Sequence, residues 1–567
     1  MRGLSRILIF LLLVIASAAA AQPLPADAQQ TCTVTPAQFN GWFASGSVSL
    51  NGFVNPANSI AFSPSNNCAF YQWSHQMFLW LTSPSPSRYG PGAHVFDSPV
   101  FYDISVEANN QRHLIPHVPN FVHNLALRAA QPGPHGLPVI MDKKGKMFEF
   151  VPAPSGKPLV LNKGGQKVEA ARATVANGKL VLSDQAGKPI ETPRPIMRPE
   201  LARAGVLQQI VVNKRPIFLD PNGNVIDVET GQAGGSPVLM AQNGSLVYYV
   251  SMVNDVWAYF LTGTKTGGIT PAPTQFPTNQ TQLNQIVSFA QSKGKTFPDP
   301  NALTVELKTA WVEASSLPNN AAGYVTMNAI IPTFNKSNPK LWTPGVPKNA
   351  KLALVGMHVV GSATNHPEMI WSTFEHFGNA PNAQYQYVNT ASQTKTVPLT
   401  TAGSWLFCKN GSAGPFNASH MNAATPPNIT AETGFNISPS DTIRWKAFGG
   451  AYDVTPNQQD ASTAASNTEV ISINNSVIGK LASGDLRANY YMSASTWTLS
   501  GASPTGPYNA GNGNEIGTSQ AANTSMETYQ QGSNQLWSSG VNCFNCHGPT
   551  NTVTISHMWT PTQPLGK

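Results

Sequence analysis

Glycine and proline recur along the whole chain, 46 of the first and 47 of the second in 567 residues. No other feature limits its architecture more. Proline removes a backbone donor and glycine raises the entropic cost of order, so a chain punctuated this densely does not run long uninterrupted helices. The two residues follow no three-residue period, so they mark turns between short strands instead of a fibrous repeat. Charged residues are 11% of the chain, less than half the usual ~25%. The apolar share of 41% is ordinary, so disorder driven by charge is excluded. The expectation is a mainly β fold with some helices, of the α+β kind, in which a large β-rich body precedes a short C-terminal segment. A mass of 60.5 kDa allows roughly two to four packed units.

The N-terminus has a positive start through Arg6, an apolar run from Ile7 to Ile15 and small residues from Ala16 to Ala21. That order is a cleavable secretory signal over 1–21, with the cut expected after Ala21. A membrane anchor needs ~20 apolar residues. This run is shorter and nothing later in the chain approaches that length, so no transmembrane segment is expected. The expected destination is periplasmic or extracellular, where disulfides form.

Near the other end, Cys543-Phe-Asn-Cys546-His547 is C-x-x-C-H, the attachment sequence for one covalent haem c. Its two thiols add to the porphyrin vinyl groups, and the histidine ligates the iron from the same side. A redox disulfide would want a βαβ surround that is missing here. A zinc site would want two more Cys or His, and only His547 and His557 are near. Covalent haem forms after export, so signal and motif support each other. Only twenty residues follow His547, so the haem pocket has to be built largely by chain upstream. His557 and Met558 are the candidates for the sixth iron position, with Met526 next, in a stretch compatible with helix.

The stretches Asn523-Thr-Ser-Met526-Glu-Thr-Tyr529-Gln-Gln-Gly532, Cys543 to His547 and Ser556-His557-Met558 resemble the tail of large exported bacterial proteins that carry one cytochrome-c-type site. Cys68-Ala-Phe-Tyr-Gln-Trp73 through Trp80, and Trp371-Ser-Thr-Phe-Glu375-His376 through Pro381, are similar to the body of that group. The resemblance implies haem binding and electron transfer.

The body divides into an aromatic-rich part over 22–137, a basic part over 138–250 and a β-rich part with long polar loops over 251–522, before the haem segment at 523–567. Ala69 to Leu81 reads as a buried helix, and Tyr89 to Val106 alternates like a strand. His113, His117 and His123 cluster in a proline-broken loop, which is weak support for a metal. Apolar triplets starting at 139, 159, 180, 217 and 238 each lead through a polar turn ending in Gly to a second apolar run, the pattern of successive β-hairpins. Between Lys143 and Arg215, fourteen Lys or Arg face five Asp or Glu, which sets the pI of 9.0. A positive face of this kind steers an acidic redox partner or is simply solvated. Nucleic acid is not expected of an exported chain without a binding motif.

Two strands are expected over 303–312 and 352–360. His358 lies on the second, and His376 follows in an aromatic stretch. These two are the weak catalytic candidates, lining a haem pocket as acid/base groups or packing as core histidines. Among the remaining cysteines, Cys32 with Cys68 is the expected disulfide by proximity, although either can pair with Cys408. Three functions follow from these residues: electron transfer in the periplasm, a haem-dependent oxidoreductase with an open iron site for peroxide, oxygen or an organic substrate, and a haem sensor attached to a binding module.

Overall fold

The structure, a computed structural model, describes 24–105, 111–117, short paired stretches between 123 and 226, and 238–565 apart from 346–347, 413–419, 426–427, 450–460, 505–515, 518–520, 529–530, 532–542 and 549. The expected signal at 1–21 and the lysines 143, 144 and 146 lie outside the described residues.

A ten-stranded sheet organises the described body. Its strands are β1 (Phe101–Ile104), β2 (Leu114–Pro116), β3 (Tyr248–Asn254), β4 (Val305–Glu313), β5 (Thr326–Ile331), β6 (Lys348–Ala363), β7 (His366–His376), β8 (Tyr490–Trp497) and β9 (Ile516–Gly517), with His123–Asn124 as the tenth. The order is β2-β1-β3-β4-β6-β7-β8-β9, with β5 paired to the start of β6. These neighbours are antiparallel, and only His123–Asn124 pairs in parallel, with β5. The two strands expected from sequence are β4 and the middle of β6. From Tyr89 to Val106, however, only Phe101–Ile104 is strand, and short 3-10 turns precede it.

Alternation along β4 shows how the sheet is buried on both sides. Val305, Leu307 and Trp311 point into the large core that includes Tyr71, Phe78 and Val470. Ala310 and Val312 join a smaller cluster on the other face with Val247, Val355 and Met526. A third cluster on that second face gathers Val253, Val360, Trp371 and the C-terminal Phe544, Ile555 and Trp559. Being covered on both faces lets consecutive apolar residues be buried, as Leu352, Ala353, Leu354 and Val355 are on β6.

Four helices matter to the site. α1 (Asn67–Leu81) is the expected aromatic helix. α2 (Asp255–Lys265) begins where β3 ends, with the Asn254 side chain accepting from Trp257 N at 3.0 Å as its cap. α3 (Gln280–Ser292) packs with α2 through Leu283, Ile286 and Phe289. α4 (Ala461–Ile478) lies in the part expected to carry long polar loops over 251–522. Its Ser and Asn content argues against helix by propensity. Packing overrides this: Val470, Ile471, Ile473 and Val477 are buried, and Ser472 and Ser476 accept the backbone N–H groups of Cys32 and Val34 at 3.1 and 2.9 Å. The Cys32–Cys68 disulfide, with Cα atoms 5.3 Å apart, ties this N-terminal stretch to α1. Cys408 is buried elsewhere and takes no part.

The basic region forms local hairpins, 139–141 with 147–149, 159–161 with 167–169, 172–176 with 179–183, and 208–212 with 215–219. The triplet at 180 pairs backward, not forward as its pattern suggests. The boundary at 250 falls inside β3, and the last repeat, bridged between Met240 and Leu246, leads directly into that strand. Among the described residues, no helix is long and apolar enough to cross a membrane.

Candidate functional site

Cross-strand register puts two rungs side by side on the second face of the sheet: Glu306, Val360 and Trp371 in one, Lys308, His358 and Thr373 in the next. The second rung is a polar band between the two smaller apolar clusters. The segment 523–528 covers it. Gly356 allows this close approach, since a Cβ there would lie 2.4 Å from Ser525 Oγ. Asn523 Nδ2 donates to Thr373 Oγ1 and to the Phe374 carbonyl, both at 3.1 Å, and Tyr249 donates to the Ser525 carbonyl at 2.7 Å. Thr524 donates its N–H at 3.0 Å and its hydroxyl to the buried Glu375 carboxylate, which also pairs with the buried Arg444 at 2.5 Å.

Glu527 then reaches the polar band, where His358 Nε2 contacts both its oxygens at 3.0 and 3.1 Å. Burial pushes the Glu527 carboxyl up, but His358, Lys308 and the Asn523 N–H outweigh it and hold the group below its ordinary value. The pair is therefore a buried carboxylate held by the imidazole, the Lys308 charge and a backbone N–H.

Beside this band stands the C-x-x-C-H motif as a single helical turn, α5 (Cys543–His547). Four-residue spacing places Cys543 and His547 on one side of it. Phe544 is buried against Trp371, with ring centroids 5.9 Å apart. Gly548, at φ 86, ends the turn in the left-handed conformation that glycine favours. The tail then folds back: Val553 N donates to Thr274 O, and Lys265 Nζ donates to the carbonyls of Trp559, Thr560 and Thr562 at 2.6 to 3.0 Å. Arg112 brackets Thr562 through Pro561 and Gln563. This clamp fixes the loop whose Ile555 carbonyl accepts from His547 Nδ1 at 3.0 Å.

That bond sets the tautomer: with Nδ1–H donated, Nε2 carries the lone pair. Burial first, and then the neighbouring His557, His358 and Lys308, lower the His547 pKa to about 3, so the ring is neutral. A neutral imidazole with a backbone-held Nδ1–H and two cysteines in its own turn fits the donor set of a c-type haem. Cys543 is half-buried, while the side chain of Cys546 lies outside the described residues.

The His557 ring stacks on that of His547, with centroids 4.1 Å apart and planes 15° off parallel. If a haem is bound at His547, His557 stands beside that ligand as its stacked neighbour. Met558 is half-buried against the apolar cluster around Trp559. Met526 is fully buried in the cluster with Ala310 and Val355, a core position. His358 and His376 do not meet. His358 is level with Thr373, near His547, whereas His376 is level with Tyr490, beyond Thr373 along β7. Its ring lies flat on Tyr324 at 3.8 Å, and burial lowers its pKa to about 3. The His113–His117–His123 cluster dissolves: His117 is clamped between Asp97 and Asp103 at 2.9 and 3.1 Å. Two carboxylates raise its pKa to about 9 against the effect of burial, making it a buried cation that joins β1 to β2. Among the described residues, no group of three or more His, Cys, Asp or Glu is placed to hold a metal ion.

Sequence reasoning missed Lys308, Glu527 and Glu306. Glu306 accepts Trp257 Nε1–H at 2.7 Å, and burial raises its pKa to about 7 against the Ser556 and Trp257 hydrogen bonds. Alternation on β4 marked Glu306 and Lys308 as sharing a face, but nothing in sequence showed which elements cover that face. The chain matches no known protein family, and neither curated proteins nor solved structures contain a match to it.

Proposed function

We propose that the chain is an exported monohaem c-type cytochrome that transfers electrons in the periplasm. The observation that carries this reading is His547, a neutral imidazole whose Nδ1–H is held by the Ile555 carbonyl at 3.0 Å and whose Nε2 lone pair is left for iron, within a C-x-x-C-H turn. Cys543 and Cys546 attach the porphyrin and His547 is the proximal ligand, as the resemblance to exported cytochrome-c-type proteins also implies. The bound haem supplies a one-electron couple at its iron. Trp371, with its ring centroid 4.2 Å from that of His547, packs the proximal imidazole against the sheet.

A second reading, a haem-dependent oxidoreductase with an open iron site, is favoured by the His358–Glu527 pair beside His547. A histidine hydrogen-bonded to a buried carboxylate is the kind of pair that serves as an acid/base group. One experiment tests both readings. The whole chain is matured with haem, reduced, and its visible spectrum recorded before and after carbon monoxide. An unchanged low-spin spectrum favours electron transfer, and a clear shift favours the open-site enzyme. If the Cys543→Ala and Cys546→Ala chains both keep a full haem stain in denaturing gels, covalent attachment is refuted. The basic 143–215 region is assigned to an acidic redox partner, and neutralising Lys143, Lys144 and Lys146 tests it: reduction slows at low ionic strength if the assignment holds and is unchanged if that face is only solvated.

A further inference from the structure

A cavity of about 830 Å³ opens at the tip of the β6–β7 hairpin. It is bounded by residues 60–67 before and at the start of α1, by the end of β8 through Gly501, and by Gln275, Thr278 and Asn551. We propose that this cavity binds a neutral, hydroxyl-rich small molecule of disaccharide size, with His366 as its central hydrogen-bonding group. The proposal is independent of the haem.

Three observations converge on it. The first is a buried dyad in the wall. His366 Nδ1 meets Glu368 Oε1 at 2.8 Å, and the same oxygen accepts the Thr498 N–H at 3.0 Å. Glu368 is fully buried behind His366, and its Oε2 has no hydrogen-bond partner. With Nδ1 engaged to the rear, Nε2 is the ring nitrogen that His366 offers to the cavity it lines. A carboxylate–imidazole pair with its outer nitrogen on a cavity accepts a hydroxyl proton well.

The second observation is how the backbone delivers the dyad. Between Gly361↔Ile370 and Ala363↔His366 the register shifts, giving β7 more residues than β6 over the same span. Met369 takes up the excess inside the strand at φ 68, a left-handed conformation unusual for a bulky residue. Gly501 closes the rim at φ 71, and a Cβ there would fall 1.9 Å from the Asn365 carbonyl oxygen. Strain of this kind persists where the surroundings enforce it and is found around ligand sites.

The third is the lining itself. Among the described residues it contains no Lys, Arg, Asp or Glu, so an ionic ligand would find no counter-charge to offset its desolvation. It carries amides and hydroxyls from Asn66, Gln275, Thr364 and Asn551, of which the Thr364 hydroxyl also donates to the Ile60 carbonyl at 2.7 Å and Asn551 Nδ2 to the Gly501 carbonyl at 3.2 Å, while Phe70 and Trp497 are buried and stack on each other at 4.0 Å. Amide and hydroxyl groups bond adjacent ligand hydroxyls as both donors and acceptors. The volume is typical of small-molecule sites, which run from roughly 300 to 1,000 Å³.

The test is isothermal calorimetry on the haem-matured full chain with cellobiose, maltose, lactose and diacetylchitobiose, set against cellobiuronic acid and a simple phenol. The expected result is saturable binding of at least one neutral disaccharide. His366→Gln and Glu368→Gln should each weaken it about tenfold or more, the loss typical of an unpaired buried polar contact. Because these two lie in the buried wall, Ser65→Trp at the exposed rim is the independent variant: it leaves the fold intact by circular dichroism and abolishes binding. No saturable heat from any neutral disaccharide, tighter binding of the acid or the phenol, or unaltered affinity in Ser65→Trp would each overturn the proposal.

Discussion

Glu306 makes the stability of this protein depend on pH in a direction opposite to most carboxylates. It is nearly fully buried, accepts from Trp257 Nε1 at 2.7 Å, and burial lifts its pKa from an ordinary 4.5 to about 7. A folded-state pKa above the unfolded one contributes stability that is complete below about 4.5 and is lost as pH rises through 7. At 1.36 kcal/mol for each pH unit of difference, the whole loss is about 3 kcal/mol, and about 2 kcal/mol of it falls between pH 5 and pH 8. The perturbation is Glu306→Gln, which keeps a carbonyl oxygen for Trp257 and removes the titration. Urea unfolding of the full chain by circular dichroism, at both pH values, gives the difference between variant and native protein. Asp255, which burial also raises to about 7 against the pull of Lys295, cancels in that difference because it is present in both chains. The variant should gain about 2 kcal/mol relative to native on going from pH 5 to pH 8. A difference that does not change with pH would refute the reasoning, since Glu306 would then be ionised in both states or in neither.

Other substitutions probe the framework of the site. Arg444→Met leaves Glu375 as an uncompensated buried charge under the 523–528 segment and should cost about 3 to 5 kcal/mol in urea unfolding. Adding Glu375→Gln should recover much of that, and a double variant no more stable than the single would show that the charge was not the cause. Cys68→Ser opens a disulfide across 36 residues, for which loop entropy gives about 4 kcal/mol. An unchanged urea midpoint would mean that α4 alone holds the N-terminal stretch. Gly501→Ala combines a positive φ with a backbone clash and should destabilise by about 2 kcal/mol or more. Ordinary stability in that variant would place the rim differently.

How much of this could be read in the chain depends on whether a signal is local. The α1 helix, β4, the middle of β6 and the hairpins at 139 and 159 are carried by apolar periodicity within a few residues, and each is where its pattern puts it. The α4 helix has no such pattern, since its Ser472 and Ser476 act through partners more than 400 residues away, Cys32 and Val34. For the same reason the strand-like alternation from Tyr89 to Val106 misleads. A short turn that packs its side chains inward on both sides mimics period two without pairing to anything.

The site divides along the same line. Cys543 to His547 is legible because the haem attachment proposed for it needs only five contiguous residues, whereas the groups around it are assembled by register. β7 shows the principle most directly. Within eleven residues it supplies His366 and Glu368 to the cavity, Trp371 to the face of His547, Thr373 to the polar band and Glu375 to the clamp on residues 523–528. Read alone, the stretch from Trp371 is only aromatic, with nothing in it to separate the surroundings of His376 from those of His358. The bulge at Met369 sets the phase of everything after it, and the partner strands decide which histidine faces the motif. A strand buried on both faces thus carries functional groups of two sites with no change in composition to separate them, and only its neighbours assign each side chain to a site.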